Sequence, residues 1–290
     1  MQFFLLLTST GLVSGAAYGL IAIGFTLIYK STGVVNFAQG ELVMLTAYIA
    51  FSLAQWLGLS FLPLVALTIP ISMALGLALE RVFIRPMLGE PTFAIVMVTV
   101  GLAVILRGLT ILIWGSEPFN FTAGMPTRVV VLAGVPFYPA QLWLLAALAI
   151  VVVAVWLFLK FSRYGVAMRA AAANETAALL VGVDVSEIHA LAWMISSAIA
   201  AIAGLLFAAN FKLAPDMWFQ GLKSFPAAIL GGLDSIGGAA LGGLIIGVIE
   251  SLSQGYIGEG MREIAGFIVI IVVLMARPFG LFGSREIERV

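Results

Sequence analysis

Stretches of roughly 20 apolar residues, the length an α-helix needs to cross ~30 Å of hydrocarbon, recur from one end of this chain to the other. In lipid the backbone must satisfy its own hydrogen bonds, so each stretch reads as a helix. Strand-like alternation of the kind that builds an outer-membrane barrel is absent. Composition agrees: 62% of the 290 residues are hydrophobic and 10% charged, against about a quarter charged in a soluble domain. The fold class is all-α, a polytopic helical membrane protein.

Apolar runs set against polar breaks place spans at 5–29, 41–57, 62–79, 93–114, 140–159 and 188–209, a glycine-broken region at 224–250, and a last span at 264–276. The broken region reads either as two short crossings or as a re-entrant hairpin, giving eight or nine membrane segments in one domain covering residues 1–290. The connections 115–139 and 160–187 are long, and neither holds a soluble domain. The first twenty residues lack a basic leader and a small-residue cleavage site, so they read as part of the mature chain.

Basic residues orient the spans. Lys30, Arg81, Arg85, Lys160, Arg163, Arg169, Arg277, Arg285 and Arg289 gather on one side, leaving Arg128, Lys212, Lys223 and Arg262 opposite and Arg107 inside a span. The first side is expected to be cytoplasmic, with the N-terminus outside, the C-terminus inside and 160–187 in the cytoplasm. Arg107 is expected to snorkel or to bond exposed carbonyls.

Polar side chains at membrane depth are normally retained only where they face protein or a water-filled path. Solute carriers often contain paired, glycine-interrupted segments in two related halves, and this chain has such a pair. "GLVSGAAYGLIAIGFTLIY" is followed by "GVVNFAQGELVML", and "ISSAIAAIAGLLFAANF" by "GLKSFPAAILGGLDSIGGAALGGLIIGVIE". The pair points to a substrate path near Asn36, Phe37, Gln39, Glu41, Lys223, Ser224 and Phe225. Glu41 reads equally as a cap for its helix at the membrane surface. Gly11, Gly15 and Gly19 form a GxxxG face, Gly238/Gly242 and Gly243/Gly247 form two more, and such faces let helices approach closely.

Zero cysteines excludes disulfides and thiolate chemistry. His189, the only histidine, has no neighbours spaced to share a metal and reads as an ordinary interfacial residue. No His, Asp, Glu or Ser cluster has catalytic spacing, so neither a catalytic nor a metal site is expected, and nothing indicates nucleic acid. A carrier driven by protons or sodium remains open, although Arg107 is the main embedded charge that could serve as a coupling site.

The connection "FSRYGVAMRAAAANETAALLVGVDVSEIHAL" reads as a docking element. Alanine-rich 168–181 favours helix, Gly182 ends it, and Asp184 with Glu187 can cap the next span. Thr176-Ala177-Ala178-x-x-x-Gly182 resembles the EAA-x-x-x-G coupling loop of ABC importer permeases, with Thr176 in the glutamate's place. "NFAQGE" (36–41), "RYGVAMRAAAANETAALLVG" (163–182) and "SFPAAILGGLDSIGGAALGG" (224–243) look like signatures of the LivH-type branched-chain amino-acid permeases. Gln39 departs from a frequent histidine, and Asp234 and Gly237 depart from a frequent glycine and proline.

The resemblance implies an inner-membrane permease subunit for branched-chain or other amino acids. Relatives of the same kind serve urea, short amides and small carboxylates. It implies a second, related permease in a heterodimer, two cytoplasmic ATPase subunits and an external solute-binding protein. Arg163, Arg169, Thr176, Ala177, Ala178 and Gly182 would then meet the ATPases. No GxxxxGK[ST] loop occurs in the chain, so ATP would be used by the partners.

Overall fold

The computed structural model describes residues 2–126, 128–132 and 135–283, with the side chains of Leu132, Glu175 and Thr176 outside that description. The chain order begins α1 (Gln2–Thr32), α2 (Gln39–Leu57), α3 (Phe61–Leu79) and α4 (Thr92–Trp114). A short ribbon of β1 (Val130–Leu132) and β2 (Val135–Phe137) leads to α5 (Pro139–Phe161). Two connector helices, α6 (Arg163–Ala173) and α7 (Glu175–Leu180), precede α8 (Val185–Asn210), α9 (Trp218–Gly231), α10 (Ile236–Tyr256) and α11 (Met261–Ala276).

Among the described residues, seven helices are long and apolar enough to cross a membrane: α1 to α5, α8 and α10, with α3 continuing through a π turn and a 3-10 turn to Met87. At 14 and 16 residues, α9 and α11 are shorter than the ~20 of a full-length crossing, yet both lead the chain back toward the end that holds Asp234 and Arg277. The 224–250 region is an antiparallel pair of helices rather than two short crossings. It is the end of α9 followed by one full-length helix, with the turn at Gly232, whose φ of +104° suits glycine. The β ribbon had no signal in the sequence, because three-residue strands are too short to show a period.

A helix apolar all round belongs in the interior, and α1 is buried almost continuously from Gly11 to Ile28. Its closest neighbour is α10, running antiparallel. A β-carbon added to Gly15 would stand 2.7 Å from the Leu244 Cα, and one on Gly11 2.7 Å from the Val248 Cα. Gly243 and Gly247 meet the α1 backbone reciprocally, and Ser251 Oγ donates to the Leu7 carbonyl at 2.7 Å. Gly238 and Gly242 face a different helix, meeting the carbonyls of Gly231 and Ala227 in α9. Most of α4 and α5 faces outward, as apolar surface can in lipid.

Contacts define the two ends of the bundle. At one, Lys30 Nζ donates to the Asp234 carbonyl at 2.7 Å, Arg85 pairs with Glu80 at 3.2 Å, and Leu281 N–H reaches the Leu230 carbonyl at 2.8 Å. Lys30, Arg81, Arg85, Lys160, Arg163, Arg169 and Arg277 lie toward this basic end. Arg285 and Arg289 lie outside the described residues. At the other end Phe119 and Leu213 exchange backbone hydrogen bonds, and Asn210 Nδ2 donates to the Ala140 carbonyl at 2.9 Å.

Candidate functional site

Gly33, at φ +67°, ends α1, and the next five residues turn back into the bundle before α2 starts. Gln39, the first residue of α2, lies beside Gly24 of α1, and Ser196 Oγ of α8 stands 3.1 Å from both the Gln39 Oε1 and the Gly24 carbonyl. Gly24 precedes the end of α1 by eight residues, and Ser196 follows the start of α8 by eleven. At 1.5 Å per residue these put Gln39 ~12–16 Å inside the basic end. The sequence break is therefore a helix start deep in the bundle.

Its polar groups serve one another. Asn36 Oδ1 accepts from Ala38 N–H at 3.0 Å, and Asn36 Nδ2 donates to Gln39 Oε1 at 3.4 Å. Both side chains are fully buried, and Gln39 Nε2 has no partner. A buried, unmade hydrogen bond costs roughly 1–3 kcal/mol. Phe37 is partly exposed, and its N–H donates to Thr99 Oγ1 at 3.2 Å. His189 is buried near the start of α8, with Asn36 and Trp193 beside it around a narrow cleft of about 30 Å³.

Glu41 does not cap α2 at the membrane surface. It is 3% exposed and accepts a hydrogen bond from Arg107 of α4. Arg107 neither snorkels nor bonds exposed carbonyls, since its guanidinium carbon also lies 3.5 Å from the centroid of the Trp218 ring. The reason is low polarity. An arginine surrounded by hydrocarbon gains more from a carboxylate and an aromatic face than from extending to the surface.

Trp218 begins α9, the second glycine-punctuated segment, and the two segments cross where Gly40 meets Gly221. A β-carbon on Gly40 would stand 3.1 Å from the Gly221 Cα and would run into the Trp218 carbonyl. Lys223 is 5% exposed and its Nζ reaches Glu263 Oε2 at 2.6 Å. Ser224 turns back on its own helix, donating to the Gln220 carbonyl at 2.7 Å. The Phe225 ring packs 5.6 Å from Phe25 and 5.8 Å from Phe37. Asn36, Phe37, Gln39 and Glu41 thus lie on one arm of the crossing, and Lys223, Ser224 and Phe225 on the other.

Next to this crossing, toward the end away from the basic residues, is a pocket of about 380 Å³. Lys212, Lys223 and Arg262 supply its cations, Asp216 and Glu263 its acids, and Phe207, Phe211 and Met217 its apolar wall. Tyr18 lines it too, donating to Glu250 Oε2 at 2.9 Å, and Glu250 is 4% exposed. Lys223 and Arg262 both act on Glu250 electrostatically. The lining thus carries three basic and two acidic groups, with Glu250 behind Tyr18. The sequence reading missed Tyr18, Glu250, Lys212, Asp216, Arg262 and Glu263. The available signal was their charge: ionisable groups at membrane depth are rarely idle.

The connector differs from the single helix expected over 168–181. Asn174 breaks it, and its Oδ1 then caps α7 by accepting from Ala177 N–H at 2.9 Å. Gly182, at φ +87°, ends α7, and Asp184 Oδ1 caps α8 by accepting from Ser186 and Glu187 N–H. Arg163, Arg169 and Ala177 are exposed, and the Thr176 side chain lies outside the described residues. Ala178 is only 3% exposed and packs inward, whereas Leu180 and Val181 are 84% and 78% exposed. The outward apolar surface belongs to the motif's variable positions, Leu179, Leu180 and Val181.

Residues 7–276 match the family model described as branched-chain amino acid transport system / permease component. The high-affinity branched-chain amino acid transport system permease protein BraD of Pseudomonas aeruginosa is 34% identical over 298 residues, covering 97% of this chain and 96% of that protein. The corresponding permease LivH of Escherichia coli K12 is 33% identical over 304 residues, covering 99% and 98%. The ribose import permease RbsC of the same organism is 27% identical over 207 residues, 67% of this chain and 59% of that one. No solved structure matches the chain.

Proposed function

The chain belongs to the branched-chain amino acid transport permease family, and from that premise we propose that it is the translocation subunit of an ABC importer for amino acids. Two ATPase subunits, an external solute-binding protein and a second, related permease complete the importer. The subunit itself catalyses nothing. We assign the basic end to the cytoplasm of a bacterial inner membrane, because lysine and arginine track that side. The N-terminus is then external and the C-terminus cytoplasmic.

The observation that carries this reading is the crossing of the two glycine-punctuated segments at Gly40 and Gly221, with a charged pocket on its outer side. Interrupted helices at a repeat interface are where carriers hold solute. The pocket favours amino acids over urea, amides or small carboxylates. Its lining offers both signs of charge, which suits a solute that carries both. A zwitterion can set its carboxylate among Lys212 and Arg262 and its ammonium by Asp216 and Glu263, while an apolar side chain meets Phe207, Phe211 and Met217. In this conformation the outer pocket is roomy and the cleft by Asn36 is narrow, which fits a path closed toward the cytoplasm.

The coupling surface is read as Leu180 and Val181 with the exposed Ala177, Arg163 and Arg169, positioned by the buried Ala178 and the turn at Gly182. Two adjacent exposed apolar side chains at the end of α7 suit a partner groove better than water.

The test is uptake in liposomes containing the permease pair, the ATPases and the binding protein. Leucine uptake should require ATP and the binding protein, survive collapse of proton and sodium gradients, and be competed by valine and isoleucine but not urea. Uptake driven by an ion gradient without the ATPases would make this chain a secondary carrier instead.

A further inference from the structure

A second cavity, of about 490 Å³, opens at the basic end between α1, α5, α6 and α10, and shares no lining residue with the outer pocket. Its charges do not balance. Lys30, Lys160 and Arg169 line it against one acid, Asp234, among the described residues, a formal excess of two positive charges. Lys30 is fixed there by its bond to the Asp234 carbonyl. The first turn of α10 opens on the same space through Ser235 and Gly237, adding the positive end of a helix dipole.

The opposite wall is apolar and comes from α5. Val152, Trp156 and Leu159 line it, and Trp156 is 52% exposed. Lys160 Nζ lies 4.6 Å from the centroid of that ring. Trp156 and Lys160 are one helical turn apart, so the change from apolar wall to charged rim takes ~6 Å along α5. Tryptophan followed by lysine at such a boundary marks the membrane–water interface.

We propose that this cleft holds an anionic phospholipid, its phosphate among Lys30, Lys160 and Arg169 and an acyl chain along Val152, Trp156 and Leu159. The two halves of the cavity argue for that occupant. A free phosphate would use the cations and leave the Trp156 wall uncovered. A second permease copy would bury an excess of like charge, and the cores of protein interfaces are depleted in lysine. An anionic amphiphile matches both halves, and basic pockets between transmembrane helices are suited to such headgroups. The proposal does not depend on the transported solute. Because Arg169 also lies on the connector, a bound lipid would sit beside the surface assigned to the ATPases.

The experiment is native mass spectrometry of the purified full-length protein after exchange into phosphatidylglycerol, cardiolipin or phosphatidylcholine, with thermal midpoints read in parallel. Anionic lipid should be retained and raise the midpoint by several degrees, while phosphatidylcholine does neither. Lys160→Gln with Arg169→Gln should weaken anionic-lipid retention by about tenfold or more. Lys160→Arg should keep it, and Arg128→Gln at the opposite end should leave it unchanged. Equal retention of phosphatidylcholine, or stabilisation by inorganic phosphate as large as that by lipid, would overturn the proposal. So would a photo-crosslinker at position 156 that captures a protein chain rather than lipid.

Discussion

Glu41 in the first turn of α2 accepts a hydrogen bond from Arg107 of α4, whose guanidinium at the same time stacks on Trp218 at the start of α9. One partly buried ion pair thereby ties both glycine-punctuated segments to a helix that otherwise faces outward.

Removing one member of this pair strands the other. The Glu41 side chain is 4% exposed and that of Arg107 31%, so Arg107→Met leaves the more deeply buried charge alone. Breaking such a pair costs ~3–5 kcal/mol when both partners are buried, and Arg107's partial exposure puts this one at the lower end. The thermal midpoint in detergent should drop more for Arg107→Met than for the double variant with Glu41→Gln. A double variant no better than the single would mean that the pair is incidental.

The α1–α10 seam predicts a contrast among glycines. Gly15→Val forces a side chain into the Leu244 backbone, which cannot rotate away, and should sharply reduce folded yield. Gly108→Ala in α4 meets nothing within 4 Å and should be neutral, or slightly stabilising by up to about 1 kcal/mol, since glycine weakens a helix interior. Size-exclusion profiles of the two variants make the comparison. Normal yield from Gly15→Val would show that the seam is looser than described.

The outer pocket predicts selectivity. Asp216→Asn and Arg262→Gln each remove one charge from the pocket's lining. Each should raise the half-saturating leucine concentration for uptake by about tenfold, the effect of losing one charge-assisted hydrogen bond. Folded yield should be retained, because both residues lie near the mouth. Unchanged concentration dependence in both variants would remove the pocket from the path.

On the connector, Leu180→Asp and Val181→Asp should abolish co-purification with the ATPases while the permease still reaches the membrane. Ala178→Glu, the substitution that the motif alone recommends, would bury a charge at a position 3% exposed. It is expected to fail by misfolding. ATPase association undiminished in Leu180→Asp and Val181→Asp would place the coupling surface elsewhere.

The sequence by itself determined that helices cross a membrane, where most of them lie, and which end is basic. Those properties follow from run length, backbone hydrogen bonding in lipid and charge counts, all of which are local. It also located both polar interruptions, because an asparagine, glutamine or lysine in an apolar run is visible one residue at a time. What only the tertiary structure decided was pairing. Gly11 and Gly15 read as a packing face, but their partners lie more than 200 residues away, at Gly247 and Gly243. Arg107 read as a snorkelling side chain because its carboxylate and its tryptophan come from two other helices. Ala178 and Leu180 have similar local surroundings, and only the packing of α7 against the rest of the chain turns one inward and leaves the other exposed. Contact energies depend on distance in space, and the chain encodes that distance only through the whole fold.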